Sequence, residues 1–193
     1  TTVPTIKVTQ TPTDWTKGDV TITIQAEDTE SGLQNTAYSF DGGTTWQEEN
    51  TKTYTENTSG IVIKVRDEAG NIATYNTINI TNIDKTGPEF EVSTTSTSSS
   101  ITVNVTNLKD AGVQFEELIN YDYYIAKSEK ELATVQKEKD TTINKYSTKT
   151  YTGLTQGITY YIKIEISDKL GNATRKIITA ETGNIATDFT ISD

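Results

Sequence analysis

The chain has 193 residues, a formal net charge of −10 and no Cys, His or Met. Without His it cannot form a Ser-His-Asp or Cys-His relay or an imidazole metal site. The sequence therefore predicts a protein that is not an enzyme, with paired-carboxylate catalysis as the one chemistry left open. No basic stripe suits nucleic acid or an anionic membrane, and no run approaches the ~18 apolar residues of a membrane span.

The length suits two domains of about 90–100 residues, each large enough for one hydrophobic core. No cofactor is expected from this composition. Neither an apolar leader nor a sorting signal is recognisable, so the sequence is interpreted as a mature chain or a fragment of a longer one.

Threonine makes up roughly a fifth of the chain and alternates with Ile and Val. Alternation with a period of two buries one face of a strand and leaves the other in water, where β-branched, polar threonine fits well. The sequence therefore predicts an all-β protein made of two tandem antiparallel β-sandwich domains. The clearest predicted strands are residues 5–10, 19–26, 61–67, 72–83, 100–107, 121–127, 159–167 and 173–181.

A domain boundary is predicted around Pro88, which lacks a backbone donor and biases Gly87 toward an extended conformation. The predicted division is a first domain over residues 1–84, a linker over 85–88 and a second domain over 89–193.

An internal echo supports two similar modules. Residues 66–71 (RDEAGN) recur as residues 167–172 (SDKLGN), about one sandwich domain later. In each copy Gly can take the left-handed conformation that closes a turn, while Asp and Asn bond nearby backbone. Another turn signal, Asp41-Gly42-Gly43, predicts a tight hairpin.

One segment interrupts the strand pattern. Ser128 and Glu131 have the spacing of a capping box, and Leu132 and Val135 form a narrow apolar stripe. A short helix over residues 129–138 is predicted, inserted between strands of the second domain.

Residues 11–22, 28–32 and 38–46 closely resemble bacterial Ig-like repeats of Gram-positive surface proteins and phage tail-associated proteins. The second half resembles a fibronectin type III module, since the Leu154 to Tyr160 segment has the Leu-x5-Tyr spacing of a tyrosine corner. The resemblance implies an Ig-like sandwich followed by a fibronectin type III-like sandwich, with spacing, display or adhesion as the function and no single ligand.

Acidic loop residues are candidate calcium ligands. In an Ig-type sandwich the loops over 27–35 and 67–71 lie at one pole, which would bring Asp28, Glu30, Asp67 and Glu68 near each other. The alternative is that these carboxylates only form turns and aid solubility, which the sequence analysis favours.

A second cation site is predicted at the joint between the domains. The same sandwich geometry would direct Asp110, Glu116, Glu117 and Asp168 of the second domain toward the linker and Asp84. A calcium ion there would stiffen the joint, whereas like charges without one would favour a flexible arrangement.

Aromatic residues are the candidates for ligand binding. Trp15 and Trp46 could stack on a sugar ring, although each domain also needs large core residues. Tyr121 and Tyr123 are predicted on one strand face and Tyr124 on the other, so the three tyrosines are not expected to form one platform.

Two assembly chemistries are weighed. A Lys–Asn isopeptide crosslink is disfavoured because alternation turns Lys7 and Asn79 outward. Strand donation to a neighbour's open edge would use the strand-like termini, residues 2–10 and 185–191, although continuation into another domain is the favoured alternative.

The expected function is a non-catalytic spacer or display unit of an exported bacterial surface protein, located at the cell surface or secreted. The alternatives are a structural subunit of a phage tail or polymerising appendage, and an accessory carbohydrate-binding module of a secreted enzyme. Expected partners are neighbouring domains or identical subunits, with a host or cell-wall glycan or protein as a further candidate.

Overall fold

The computed structural model describes residues 2–110, 120–136, 138–140 and 148–183. The chain divides into two compact units, Thr1–Lys85 and Thr86–Asp193, hereafter unit 1 and unit 2. All strand pairs that form ladders are antiparallel, and each unit contains its own hydrophobic core between sheets. The fold is therefore all-β, with two β-sandwich units in tandem.

The described part of unit 1 contains eight strands in three sheets. The sheet orders are β1-β2-β4, β3-β6-β7 and β5-β8. The strands are β1 (Thr5–Thr11), β2 (Val20–Glu27), β3 (Leu33–Ser39), β4 (Thr51–Tyr54), β5 (Thr58–Ile61), β6 (Lys64–Asp67), β7 (Ile72–Thr74) and β8 (Ile78–Ile80).

Alternation produces the core of unit 1. On β2, Val20, Ile22 and Ile24 are fully buried, while the threonines between them face outward. Residues of the other sheets close over them, which is the expected consequence of packing two half-apolar sheets face to face. The remaining buried core residues are Ala37, Phe40, Ile61, Ile63, Val65, Ile80 and Ile83.

Two long strands predicted in unit 1 are interrupted. The predicted strand over 61–67 is divided between β5 and β6, and the one over 72–83 is divided between β7 and β8. The β5–β6 segment still pairs with the β7–β8 segment as the two arms of one hairpin. Arg66 of β6 pairs with Ile72 of β7, and Thr58 of β5 pairs with Ile80 of β8. A register irregularity between Thr58 and Ile61 breaks the ladder, a kind of defect that alternation in the sequence does not reveal.

In place of the tight hairpin predicted at Asp41-Gly42-Gly43, the structure has a longer loop. β3 ends at Ser39 and the flanking bridge joins Tyr38 to Gln47, so residues 40–46 form the loop. Side chains rather than a two-residue turn organise it: Ser39 accepts a hydrogen bond from the Gly43 N–H at 2.8 Å, and Asp41 accepts from the Thr45 N–H at 2.9 Å.

The described part of unit 2 contains a three-stranded sheet and a four-stranded sheet, ordered β13-β10-β9 and β12-β11-β14-β15. This arrangement is fibronectin type III-like. The strands are β9 (Glu89–Ser96), β10 (Ser100–Lys109), β11 (Asn120–Ala126), β12 (Glu138–Asp140), β13 (Thr148–Thr152), β14 (Thr159–Ser167) and β15 (Ala173–Glu181).

Tyrosines are part of the core of unit 2. Tyr121 and Tyr123 are fully buried and stack with ring centroids 6.4 Å apart, while Tyr124 points to the other face. The predicted separation of these tyrosines is confirmed. The other core members are Phe90, Ile101, Val103, Val105, Leu108, Tyr151, Tyr160, Ile162, Ile164 and Ile166.

The tyrosine corner is confirmed. The Thr155 N–H donates to the hydroxyl of buried Tyr160 at 2.9 Å, which ties the loop before β14 to the strand. Burial is the largest single influence and raises the pKa of Tyr160, but the hydrogen bonds with Thr155 and the charge of Lys127 together bring it below its ordinary value.

The helix predicted over residues 129–138 is much shorter. A single 3₁₀ turn, Glu131–Ala133, is present, with Leu132 buried. The Ser128 hydroxyl accepts from the Glu131 N–H at 3.4 Å, but the Glu131 carboxylate returns to the Lys127 N–H rather than to Ser128. Within the described ranges, no helix has the length and apolar character needed to cross a membrane.

Candidate functional site

The repeated segment 66–71 forms a closed turn between β6 and β7. Asp67, which is fully buried, accepts from the Asn71 N–H through Oδ1 and from the Asn71 side-chain amide through Oδ2, both at 2.7 Å. Gly70 adopts a φ of +87°, a conformation that glycine takes without strain. The carboxylate therefore stabilises its own loop.

The copy in unit 2 has the same geometry. Asp168 accepts from the Asn172 N–H and from its side-chain amide, both at 2.8 Å, and Gly171 has a φ of +81°. Backbone bonds also match, because in each copy the Asp N–H donates to the Asn carbonyl and the Gly N–H donates to the Asp carbonyl. The same Asp-x-x-Gly-Asn turn therefore closes the β6–β7 hairpin and the β14–β15 hairpin.

Asp28 also organises its own loop. Its Oδ1 accepts hydrogen bonds from the N–H groups of Glu30, Ser31 and Gly32, and from the Ser31 hydroxyl. The Ser31 N–H is the largest cause that lowers the pKa of Asp28, burial raises it, and the other donors lower it further. This carboxylate is a capping group for residues 28–32.

Asp41 likewise accepts hydrogen bonds within its own loop. The Thr45 hydroxyl, the Thr45 N–H and the Ser39 hydroxyl hold its pKa far below the usual range for Asp, in that order of importance. Like Asp28 and Asp67, it accepts several donors from residues close in sequence.

The predicted calcium ligands of unit 1 lie on neighbouring loops. The Glu68 N–H donates to the Gly32 carbonyl at 3.0 Å, so the loops over 28–32 and 67–71 meet. However, among the residues that the structure describes in unit 1, no three acidic side chains bring their oxygens within 4.8 Å of one another. Calcium binding by Asp28, Glu30, Asp67 and Glu68 stays a prediction.

The predicted ligands of the joint are described unit by unit. In unit 2, the carboxylates of Asp110 and Asp168 lie within 4.8 Å of each other. Asp84 belongs to unit 1, where its N–H donates to the Thr16 carbonyl at 2.8 Å. Glu116 and Glu117 lie outside the described residues. A cation at the joint therefore stays a prediction.

The two tryptophans occupy different environments in unit 1. Trp15 is 40% exposed, while Trp46 is half-buried with the Arg66 guanidinium 4.3 Å from its ring centroid. Because Arg66 covers one face of the indole, Trp46 presents less ring surface to a sugar than the sequence suggests.

The cations that cover aromatic rings are not predicted from the sequence. Arg66 lies over Trp46, and Lys163 lies over Tyr124 with its ammonium 3.6 Å from the ring centroid. Alternation on β6 and β14 could have placed both cations on outward faces, but their aromatic partners lie on other parts of the chain. Only the folded structure brings them together.

No family model and no curated protein matches this chain. Among solved structures, it is similar to the FN1-FN3 domains of chicken CNTN1, with 16% sequence identity and a TM-score of 0.38. The similarity covers 89% of this chain and 65% of that fragment, so the chain spans just under two thirds of its length. The fold assignment accordingly rests on the strand order described above.

Proposed function

We propose that the chain is a non-catalytic spacer or display unit of an exported bacterial surface protein, acting outside the cell. The observation that carries this proposal is the same Asp-x-x-Gly-Asn turn in two consecutive sandwich units. Tandem repetition of one module is the usual way to extend a protein over distance with a stable, regular element.

The character of the loops supports a structural role. Carboxylates that could have served chemistry instead accept hydrogen bonds from residues up to four positions away, as Asp28, Asp41 and Asp67 do. Turns stabilised in this way need no ligand to hold their conformation. A module that remains folded without a partner suits a spacer.

The composition argues against catalysis. A chain without His or Cys lacks the common nucleophile–base relays. Asp28 and Asp41, two carboxylates whose pKa is lowered, are turn formers whose acidity follows from local hydrogen bonds. A general acid or base would instead need a pKa near the working pH.

The assembly-subunit alternative receives less support. Strand donation by residues 2–10 would compete with β1, because all seven residues of Thr5–Thr11 already pair with β2. The other candidate donor, residues 185–191, lies outside the described residues. The carbohydrate-binding alternative is weakened because Arg66 covers Trp46.

Light scattering and sedimentation velocity on the purified chain test the proposal. A monomer over a wide concentration range is expected for a spacer, because its units are joined covalently in one chain and not by association between copies. A stable oligomer or filament would overturn the proposal in favour of a phage tail or appendage subunit.

Melting curves recorded with millimolar calcium and with a chelator test the predicted cation sites. A calcium-dependent rise in melting temperature, lost in Asp168→Asn, would support a bound ion. Identical melting curves with calcium and with chelator would remove calcium from the account.

A further inference from the structure

A cation, an aromatic ring and an exposed isoleucine lie side by side on one face of unit 1. Arg66 of β6 covers Trp46 at 4.3 Å, and Ile72 of β7 pairs directly opposite Arg66 in the ladder. Directly paired residues share a face, so Ile72, which is 48% exposed, lies beside the guanidinium.

Unit 2 carries the same combination on the corresponding hairpin. Lys163 of β14 lies over Tyr124 of β11, and Ile177 of β15 pairs directly opposite Lys163. Ile177 is 46% exposed. Tyr124, Lys163 and Ile177 therefore form one row across the outer face of the four-stranded sheet.

The recurrence does not follow from the repeated turn. Arg66 immediately precedes the turn aspartate Asp67, whereas Lys163 lies five positions before Asp168. Moreover, only four large hydrophobic residues within the described ranges are prominently exposed, and two of them are Ile72 and Ile177. Each of two modules with different local sequences thus presents the same chemistry on the outer face of its own hairpin.

The cations of these two faces have no carboxylate partner among the described residues. Residues 1–84 contain 12 acidic and only five basic side chains, yet neither Arg66 nor Lys64 takes part in any of the ion pairs there. Lys163 likewise takes part in none within the described part of the chain. These three cations therefore make no ion pair with a described carboxylate, and the acidic side chains of Asp122 and Glu165 share the outer sheet face with Lys163.

Arg66 is held ready to bind an anion. Its Nε donates to the Thr36 carbonyl at 3.0 Å and its Nη2 donates to the Thr36 hydroxyl at 2.6 Å. These bonds and the Trp46 ring fix the guanidinium plane while leaving three of its five N–H donors for another acceptor. A preorganised cation loses little conformational entropy when a ligand binds.

We propose that each unit has its own cation–isoleucine patch (Trp46, Arg66 and Ile72 in unit 1; Tyr124, Lys163 and Ile177 in unit 2), and that each patch by itself docks an acidic peptide segment of a partner protein. A carboxylate of the segment bonds the cation, and a neighbouring apolar side chain covers the isoleucine. Charge complementarity selects the acidic partner, and the exposed isoleucine selects a peptide over a glycan. The inference goes beyond the spacer role and does not depend on it.

A selection experiment with matched variants tests the proposal. The full chain is immobilised, and random cysteine-free decapeptides from a library are selected for binding to it. The double variant Arg66→Ser/Lys163→Ser removes the cation of each patch. The control Lys52→Ser/Lys149→Ser makes the same charge change at cations that also lie near tyrosine rings, 5.5 and 5.8 Å from their centroids, outside both patches.

The expected result is enrichment of peptides with Asp or Glu next to Leu, Ile or Phe. Their dissociation constants should rise at least about fivefold in the patch variant and stay unchanged in the control, because the lost interaction is a charge-assisted hydrogen bond. Ile72→Thr/Ile177→Thr, a surface change that leaves both cores intact, should weaken the same peptides.

Three results would overturn the proposal. One is a selected pool without acidic residues, and another is equal loss of affinity in the patch and control variants. The third is binding of a hyaluronan oligosaccharide that depends on Arg66 and Lys163 while no peptide is enriched, which would assign the patches to an acidic glycan.

Discussion

Asp67 and Asp168 show at the residue scale why a buried carboxylate can be structural. Each loses water on folding and receives two hydrogen bonds from an asparagine four positions later. A buried charge is costly unless such donors compensate for the lost hydration. The asparagine and the left-handed glycine make the same turn possible in both units.

Replacing Asp67 with Ala should lower the free energy of unfolding of unit 1 by about 1–3 kcal/mol, because the Asn71 donors lose their acceptor in a buried site. Both tryptophans, Trp15 and Trp46, belong to unit 1, so tryptophan fluorescence in urea reports its unfolding alone. The neighbouring exposed residue provides the control: Glu68→Ala should change the value by less than about 0.5 kcal/mol. Equal effects of the two substitutions would contradict the structural role of Asp67.

Acid should destabilise unit 1 through Asp28 and Asp41. Hydrogen bonds lower the folded-state pKa of both carboxyls, chiefly from the Ser31 N–H to Asp28 and from the Thr45 hydroxyl to Asp41. A group whose pKa is lower in the folded state adds stability above its unfolded pKa of about 4, and that stability is lost as pH falls further. The urea midpoint of tryptophan fluorescence should therefore be constant near neutral pH and fall below about pH 4.

The matched test of this pH dependence is Asp41→Asn. The variant keeps the shape of the side chain but cannot titrate, so its urea midpoint should fall less steeply with acid than that of the unchanged chain. Parallel curves for the two proteins would show that Asp41 does not contribute to the acid response.

At the scale of elements, loops and corners join the sheets of each unit. In unit 2 the tyrosine corner connects the loop before β14 to the strand through the bond from the Thr155 N–H to Tyr160. The loop is further held by Thr182, whose hydroxyl donates to the Thr155 carbonyl at 2.7 Å and accepts from the Ile158 N–H at 3.1 Å. These bonds join the loop and the ends of two strands into one cooperative element.

Tyr160→Phe should lower the stability of unit 2 by about 0.5–1.5 kcal/mol, because it leaves the Thr155 N–H without its acceptor. Scanning calorimetry should show one transition shifted to lower temperature, while the transition followed by tryptophan fluorescence stays in place. The adjacent Tyr161→Phe is the control, since Tyr161 is only half-buried. A shift of similar size in both variants would argue against the corner as the cause.

At the scale of the whole molecule, stability is divided between two separate cores. The core of unit 1 is mainly aliphatic, whereas that of unit 2 includes Tyr121, Tyr123, Tyr151 and Tyr160. Each core is complete within its own part of the chain, as expected of domains that can fold alone.

Residues 1–85 produced alone should therefore fold. The urea midpoint of their tryptophan fluorescence should lie close to that of the full chain, because the reporting tryptophans and their core are all retained. A fragment that is unfolded, or that has a much lower midpoint, would show that unit 1 needs unit 2 for its stability.

The sequence by itself determined the class of the fold, because alternation of Ile and Val with Thr is a local property that dictates which face of each strand is buried. The recurring turn, the tyrosine corner and the split of the tyrosines between faces were predictable for the same reason: each depends on residues within a few positions of one another.

Only the tertiary structure decided the rest. The breaks within the β5–β8 region depend on pairing across the sheet, and the stop of the 3₁₀ turn after Ala133 was not apparent from the capping box. The cover of Arg66 on Trp46 and of Lys163 on Tyr124 joins residues 20 and 39 positions apart in the sequence. Such contacts arise from sheet order and register, which the sum of many weak long-range interactions selects and which no local pattern encodes.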